Sequence, residues 1–211
     1  MSNHRIGLAW ALFGLAAGLS GPALAGNAGS WEIKFGAHTV NPKSDNGTLR
    51  AGSTAFDVEV GNDVRPTFNV GYWFSDNWQL DVLAALPFEH DVDLNGGRAA
   101  SFKHLPPTFT LQYHFNPDGD GVDPFIGVGL NYTFVYDEQE VGPLAGTRLR
   151  LDDSIGLAAQ VGLAFPINEN WSIGGDVRWF DIDSDAELNG ASLGTVNVDP
   201  LAFGIFAIYR L

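Results

Sequence analysis

One short motif in the sequence has the spacing of a catalytic site. The stretch 190–194, Gly-Ala-Ser-Leu-Gly, fits the pattern G-x-S-x-G, in which a sharp turn between a strand and a helix exposes a nucleophilic serine. Activation of Ser192 would require a histidine within hydrogen-bond reach, and His90 and His104 are the candidates. No spacing links them to Ser192, and the motif falls between two predicted strands, so a chance match is the better interpretation.

A second group of residues could form ion pairs. Six charged side chains occupy polar positions in segments whose alternate positions are apolar. If these polar positions face an enclosed space, the charges must pair, because a single buried charge is costly. We therefore predict a charge network that crosses the lower part of this enclosed space and closes it to water and ions. A purely structural role is the simplest explanation of such a network. The six residues are Glu32, Lys34, Asp81, Asp176, Arg178 and Arg210.

The composition excludes several other kinds of chemistry. The chain has 211 residues and no Cys, which removes disulfides, Cys-ligated zinc, iron–sulfur clusters and thiol catalysis. No His-x-x-x-His pair occurs, so neither a metal nor another cofactor is expected. The net charge of −14 disfavours binding to nucleic-acid phosphates. An aromatic content of 12% and 26 glycines favour strands joined by turns.

The first residues predict export from the cytoplasm. His4 and Arg5 precede an apolar run over residues 6–19, and Ala23-Leu24-Ala25 has the A-x-A pattern of a cleavage site. These features indicate a signal peptide over residues 1–25. A membrane anchor is the weaker interpretation, because about 20 apolar residues are needed to span a bilayer. The remaining chain, residues 26–211, is predicted to be one domain.

The elements that must position these side chains have a period of two. Apolar and polar residues alternate in eight segments, as expected of strands whose two faces meet different surroundings. The segments have 9–14 residues, and about 9–11 are enough for a tilted strand to cross a bilayer. The segments are 31–39, 65–74, 78–89, 104–115, 124–136, 154–167, 171–179 and 201–211.

The connections between the segments alternate between short and long. Residues 75–77, 116–122 and 168–170 form short turns, whereas the four other connections are long, polar and acidic. Short periplasmic turns and long outer loops are typical of outer-membrane barrels. A water-soluble barrel would have its apolar rows inside, but the polar rows here are rich in the small residues that fit a narrow lumen. We predict an all-β, eight-stranded, antiparallel, up-and-down transmembrane barrel.

Six stretches, which occur in order near strand ends, carry a resemblance to a known family. They are His104–Thr108, Leu111–Phe115, Pro124–Thr133, Asp181–Asp183, Asp199–Pro200 and Tyr209–Arg210. They resemble the outer membrane protein W family, which includes alkane-import outer membrane proteins, and the resemblance covers essentially all of the chain after the signal peptide. One departure is the last residue, Leu211, where such barrels usually end in Phe. Leu keeps the apolar character that the barrel-assembly machinery reads.

The resemblance implies a narrow, partly hydrophobic channel for passive uptake of small hydrophobic molecules across the outer membrane. It also implies an apolar constriction in the lumen, for which Leu83, Phe125 and Phe180 are our candidates. Arg178 lies at the matching height on the seventh strand, so the constriction is not expected to be purely hydrophobic.

Three prolines suggest where a solute could leave the barrel. Proline has no N–H to donate to a β-ladder. Pro87 lies near the outer end of the third predicted strand and faces Pro106 and Pro107 at the start of the fourth. Weak pairing there would let a solute pass sideways into the bilayer. The alternative is that these prolines simply end strands at the barrel rim.

The predicted surroundings are outer-membrane lipid and lipopolysaccharide, and the predicted cargo is a small hydrophobic solute. Two other functions stay open from the sequence. One is a structural or receptor barrel whose loops contact partners. The other is an outer-membrane lipid hydrolase, for which Ser192 would need one of the histidines beside it.

Overall fold

Most of the described chain lies in β-strands. The computed structural model describes residues 27–117 and 121–211, and the predicted signal segment 1–25 lies outside the described residues. No helix in the described part is long and apolar enough to cross a membrane. The strands are β1 Trp31–Asn41, β2 Thr48–Ala51, β3 Thr54–Val60, β4 Asp63–Trp73, β5 Trp78–Ala85, β6 Phe88–Leu94, β7 Gly97–Leu105, β8 Thr108–His114, β9 Asp123–Glu140, β10 Leu149–Leu151, β11 Ser154–Pro166, β12 Trp171–Phe180, β13 Asp183–Leu188, β14 Ala191–Asn197 and β15 Leu201–Arg210.

Eight of these strands close into a barrel. Each pairs antiparallel with its neighbours in the order β1, β4, β5, β8, β9, β11, β12 and β15. The last strand then pairs with the first, from Glu32 opposite Arg210 to Asn41 opposite Leu201. Closure leaves no free strand edge inside the bilayer, as a membrane barrel requires. The predicted eight-stranded antiparallel barrel is therefore confirmed.

The two rows of each barrel strand face opposite environments. Large apolar side chains of the outward rows are exposed, as in Phe35 (51%), Ile155 (72%) and Ile205 (75%). Polar side chains of the inward rows are buried, as in Lys34 (2%) and Gln112 (0%). Exposed apolar side chains around the whole barrel form a surface that fits lipid tails. The period of two in the sequence was thus assigned to the correct faces.

The long connections are not loops but extensions of the barrel wall. Strands β7, β6, β3 and β2 continue outward beside the upper half of β9, and β10, β13 and β14 form a separate three-stranded sheet. Two of the hairpins turn at Asn95-Gly96 (φ 52° and 77°) and Asn189-Gly190 (φ 53° and 83°). Two residues with positive φ make the turn type that matches the twist of paired strands. The hairpins therefore project beyond the membrane as ordered sheet.

Prolines interrupt two of the predicted strands. The predicted strand 78–89 ends as β5 at Ala85 and resumes as β6 at Phe88, and the predicted strand 104–115 is divided between β7 and β8. Pro87, Pro106 and Pro107 lie in these interruptions. Because proline cannot donate a ladder hydrogen bond, each strand stops where a donor is missing. Exposed ion pairs follow just above, as between Lys103 and Asp137, so the outer wall becomes polar there.

Candidate functional site

The lower lumen is filled by hydrogen-bonded polar side chains around Lys34. Its ammonium donates to Asp81 Oδ1 (2.9 Å) and to the side-chain oxygens of Gln79 (2.9 Å) and Gln112 (3.3 Å). Asp81 also accepts a bond from Asn69 through Oδ2 (2.6 Å). The three donors of the ammonium are therefore all used, which is what a buried lysine needs to remain charged.

A second ion pair lies on β12. Arg178 Nε donates to Asp176 Oδ2 (2.8 Å), and Arg178 Nη2 lies 3.6 Å from Asp81 Oδ2. Asp176 Oδ1 is 2.9 Å from His38 Nε2. A Cβ atom at position 204 would collide with His38 Nε2, so Gly204 provides the space for this contact.

The network reaches the periplasmic end through Glu32. Gln79 donates to Glu32 Oε2 (2.7 Å), and Arg210 Nη2 donates to Glu32 Oε1 (2.9 Å). The bond from Arg210 also joins the last strand to the first. The lower lumen is thus crossed by a continuous chain of paired charges, with three acidic and three basic residues from the predicted set.

The structure brings all six predicted charges together. Other members of the network were not identified from the sequence, although they lie on the same inward rows, where the period of two places them. They satisfy most of the hydrogen bonds that the charges leave over, which is a condition for burying ions; Arg178 Nη1 and Nη2 have no hydrogen-bond partner within the described residues. These residues are His38, Asn69, Gln79, Gln112 and Gln160.

An apolar layer covers the network. Leu83 and Phe180, two of the predicted constriction residues, are buried in one apolar cluster together with Val40, Ala158 and Ala202. Leu83 is two residues above Asp81, and Phe180 is two residues above Arg178, on the same inward rows. They form the floor beneath the upper lumen rather than an isolated ring.

Phe125 lies elsewhere. It belongs to a separate buried cluster with Phe206 and Ile208, and its ring stacks on His114 with 4.9 Å between the centroids. Lys34 Nζ lies 5.7 Å from the ring centroid. This position is at the periplasmic end of β9, below the ion pairs. The structure therefore does not bring Phe125 to the height of Leu83 and Phe180.

Above the floor, the extended hairpins enclose an apolar cavity of about 300 Å³. This volume is at the lower end of the range of small-molecule sites. Most of its wall comes from the hairpin strands, and most of the lining side chains are aliphatic or aromatic. Representative lining residues are Leu49, Val92, Phe102, Val135, Leu149 and Val196.

A histidine pair lies in the cavity wall. His90 Nε2 and His104 Nε2 are 2.9 Å apart, and His90 Nδ1 bonds to the carbonyl oxygen of Gly61. Phe88 and Phe102 pack against the two rings. Burial lowers the pKa of His90, and burial together with the neighbouring ring lowers the pKa of His104 well below its usual value. Both rings are therefore neutral at pH 7.

The β-ladder is open beside this cavity. Pairing between β5 and β8 ends at Leu83 opposite Thr108, and pairing between β6 and β7 begins at Phe88 opposite His104. Residues 84–87 on one side face residues 105–107 on the other, so four residues oppose three. Pro87, Pro106 and Pro107 have no N–H groups, so they cannot donate hydrogen bonds across this gap. Leu86 beside them points outward with 59% exposure. The three predicted prolines thus meet at one break in the wall.

The residues considered for catalysis are not arranged as a catalytic site. Ser192 is exposed on β14, whereas the ring nitrogens of His90 and His104 bond to each other and to Gly61. Within residues 27–117 and 121–211, no group of three or more His, Asp or Glu side chains could hold a metal ion.

Sequence reasoning missed the cavity wall, because it interpreted the hairpins as polar loops. A signal was present: Asn-Gly at 95–96 and at 189–190 is the strongest short-range indicator of a tight β-hairpin. Short alternating runs flank both turns. The chain's apolar residues in these runs line the cavity.

Comparisons with known proteins agree with this architecture. The sequence profile of the OmpW family matches residues 27–211. Outer membrane protein W of Vibrio cholerae is 34% identical over 93% of this chain and 95% of its own length. The crystal structure of OprG from Pseudomonas aeruginosa has a TM-score of 0.78 at 30% identity, covering 88% of this chain and 97% of that one.

A third relative has been studied in a membrane. The solid-state NMR structure of outer membrane protein AlkL in lipid bilayers has a TM-score of 0.71 at 25% identity, covering 92% of this chain and 95% of that one. The family match, the closed barrel and the lipid-facing rows together confirm the resemblance noted in the sequence. The chain belongs to the OmpW family and is an outer-membrane β-barrel.

Proposed function

We propose that the protein is a passive channel for small hydrophobic molecules. The solute enters between the extended hairpins from the lipopolysaccharide side and binds in the apolar cavity. It then leaves sideways, through the break between β5–β6 and β7–β8, into the lipid bilayer. Burial of apolar surface in the cavity provides the driving force for binding, at about 25 cal/mol per Å².

The observation that carries this proposal is the position of the break. It lies between the rung Leu83–Thr108 and the rung Phe88–His104, and His104 also lines the cavity. The outer side of the same break is apolar, since Leu86 is exposed there. A solute that moves from the cavity to lipid at this point breaks no ladder hydrogen bond, because the prolines have none to donate.

Passage straight down the lumen is opposed by the charge network. An apolar solute would have to separate Lys34 from Asp81 and Arg178 from Asp176. Each pair is almost fully buried, so separation would leave uncompensated charges in a medium of low polarity. The floor at Leu83 and Phe180 adds an apolar barrier to water from above. Sideways exit is the route with the smaller cost.

The experiment compares uptake of a small apolar compound into liposomes carrying wild-type protein or Pro106→Ala/Pro107→Ala. The two alanines restore backbone N–H donors at the break, so the ladder can close and uptake should fall several-fold. The matched control is Pro200→Ala. Pro200 also lies at the outer rim, at the step from β12 and β15 to β13 and β14. Hydrogen bonds join the wall there, because Phe180 N–H donates to the Pro200 carbonyl (3.2 Å) and Val198 N–H donates to the Ile182 carbonyl (2.8 Å).

The control variant should transport like the wild type, and all three proteins should retain the heat-resistant barrel in gels. Unchanged uptake in the double variant would remove the sideways exit. Uptake no faster than in empty liposomes, even for the wild type, would favour a structural or receptor barrel instead.

We also propose that the protein is not an enzyme. Ser192 is exposed on β14, whereas His90 bonds through Nδ1 to the Gly61 carbonyl and through Nε2 to His104. This engagement of the histidines with other groups supports the proposal. Hydrolysis of added lipid that is lost in Ser192→Ala would overturn the proposal.

A further inference from the structure

Few side chains in the cavity wall can form hydrogen bonds, so each one matters for what the cavity accepts. Among the described residues that line the cavity, five have polar side chains. An apolar ligand needs none of them, but a buried polar atom that stays unpaired is costly on either side of the contact. The five residues are His90, Asn95, His104, Thr133 and Ser184.

The order of protons on the histidine pair follows from its contacts. A carbonyl oxygen can only accept, so His90 Nδ1 carries the proton that bonds to Gly61. The ring is neutral, and His90 Nε2 is then an acceptor. Its contact with His104 Nε2 (2.9 Å) requires the proton to be on His104. His104 Nδ1 is therefore a bare acceptor, and it has no hydrogen-bond partner within the described part of the chain.

The two hydroxyl groups in the wall already donate their protons to hydrogen bonds within the protein. Thr133 Oγ1 donates to Asn131 Oδ1 (2.6 Å), and Ser184 Oγ donates to the carbonyl oxygen of Asp152 (2.7 Å). Only their lone pairs are left for a ligand. Asn95 is exposed, and its side-chain oxygen accepts from Asp57 N–H (2.9 Å). Its amide therefore lies at the outer turn, away from the histidines.

We infer that the cavity selects apolar molecules that carry one hydrogen-bond donor, such as a primary alcohol or a phenol. The inner wall offers acceptors without side-chain donors, so an ether or a ketone of the same size gains no bond there. The volume of about 300 Å³ corresponds to roughly ten heavy atoms at ~30 Å³ each. This inference rests on the proposed function, because it names the class of solute that the same cavity would carry.

The test uses three molecules with nine heavy atoms each: octan-1-ol, heptyl methyl ether and nonane. Binding to the protein in lipid nanodiscs is measured against partitioning into empty nanodiscs. A net hydrogen bond corresponds to a few-fold change in affinity, so octan-1-ol should bind about five-fold more tightly than the ether. In His104→Phe this difference should disappear, and Thr133→Val provides a second, smaller change in the same wall.

A side-chain nitrogen spectrum gives a direct readout on the unaltered protein. Octan-1-ol should shift the His104 Nδ1 resonance towards the bonded position, whereas the ether and nonane should not. His38 is an internal reference, because both of its ring nitrogens are already bonded, to Thr67 and Asp176. An unshifted His104 signal, or equal affinities for alcohol and ether, would overturn the inference while leaving transport intact. Failure of all three molecules to bind would overturn the proposed function as well.

Discussion

The lower and upper halves of the lumen contain opposite kinds of side chain. Below, Lys34, Asp81 and Arg178 form a dense network with almost no exposed surface. Above, the inward positions of the hairpins are apolar and enclose a cavity of about 300 Å³. One half is closed by strong directional bonds, and the other is open because nothing fills it.

The comparison teaches that the closed part of the lumen and the cavity lie at different heights along the barrel axis, rather than on different sides of the barrel. An eight-stranded barrel has an interior just wide enough for side chains, so the membrane part fills itself. Room for a solute arises only where the hairpins continue the wall beyond the bilayer. The proline break lies at the boundary between the two regions, where the proposed sideways exit would deliver a bound molecule to lipid.

The largest effect should come from breaking the lower network. Asp81→Asn leaves Lys34 and Arg178 without their shared carboxylate, and removal of one partner of a buried pair typically costs ~3–5 kcal/mol. We expect a lower free energy of unfolding in urea titrations in detergent, and new ion conductance in planar bilayers.

The matched control for Asp81→Asn is the double variant Lys34→Met/Asp81→Met. It removes both partners and leaves Arg178 with Asp176, so its loss of stability should be much smaller. Equal losses in the two variants would contradict the view that pairing, rather than side-chain volume, closes the lower lumen.

A change in the upper half should affect binding more than folding. Val196 lines the cavity and is 5% exposed. The ring in Val196→Phe enters empty space, so the folded protein is little affected. A bound solute would then overpack the cavity at a cost of ~1–3 kcal/mol, and affinity measured in nanodiscs should fall about ten-fold. Val177→Phe makes the same change on the lipid face and should leave affinity unaltered.

The smallest effect should be the pH dependence of the stability of the β6–β7 hairpin. Burial lowers the pKa of His90 and His104, so the open hairpin takes up protons at a higher pH than the closed one. Stability of the closed hairpin is therefore complete above about pH 6.5 and decreases as the pH falls below it. The protection factors of amide exchange in β6 and β7, which correct for the slower intrinsic exchange in acid, should fall between pH 7 and pH 5, and His104→Phe should show a weaker dependence.

Much of the fold could be predicted because the period of two is a local property. Alternation placed Phe35 outside and Lys34 inside correctly, since neighbouring side chains on a strand point to opposite faces. The extended hairpins were not predicted, because their polar outer faces and short strands resemble loops in composition. Only the Asn-Gly turns at 95–96 and 189–190 indicated them.

The candidate site was predictable to a different extent in its two parts. The inward direction of Asp81 and Arg178 follows from alternation, but their contact at 3.6 Å depends on how far each strand is staggered around the barrel. The position of Phe125 shows the same limit. Its face could be inferred, whereas its height, beside His114, follows from the register of β9 against β8.

The amino-acid sequence by itself determined which side chains face lipid, that Pro87 would face Pro106 and Pro107, and that charges would meet inside a closed wall. These are consequences of alternation, of the order of the strands and of the cost of burying a lone charge. Only the tertiary structure decided which charges pair, how the hairpins enclose the cavity, and where the strands stop around the three prolines. Those features depend on the stagger between strands distant in the chain, which no local pattern of residues specifies.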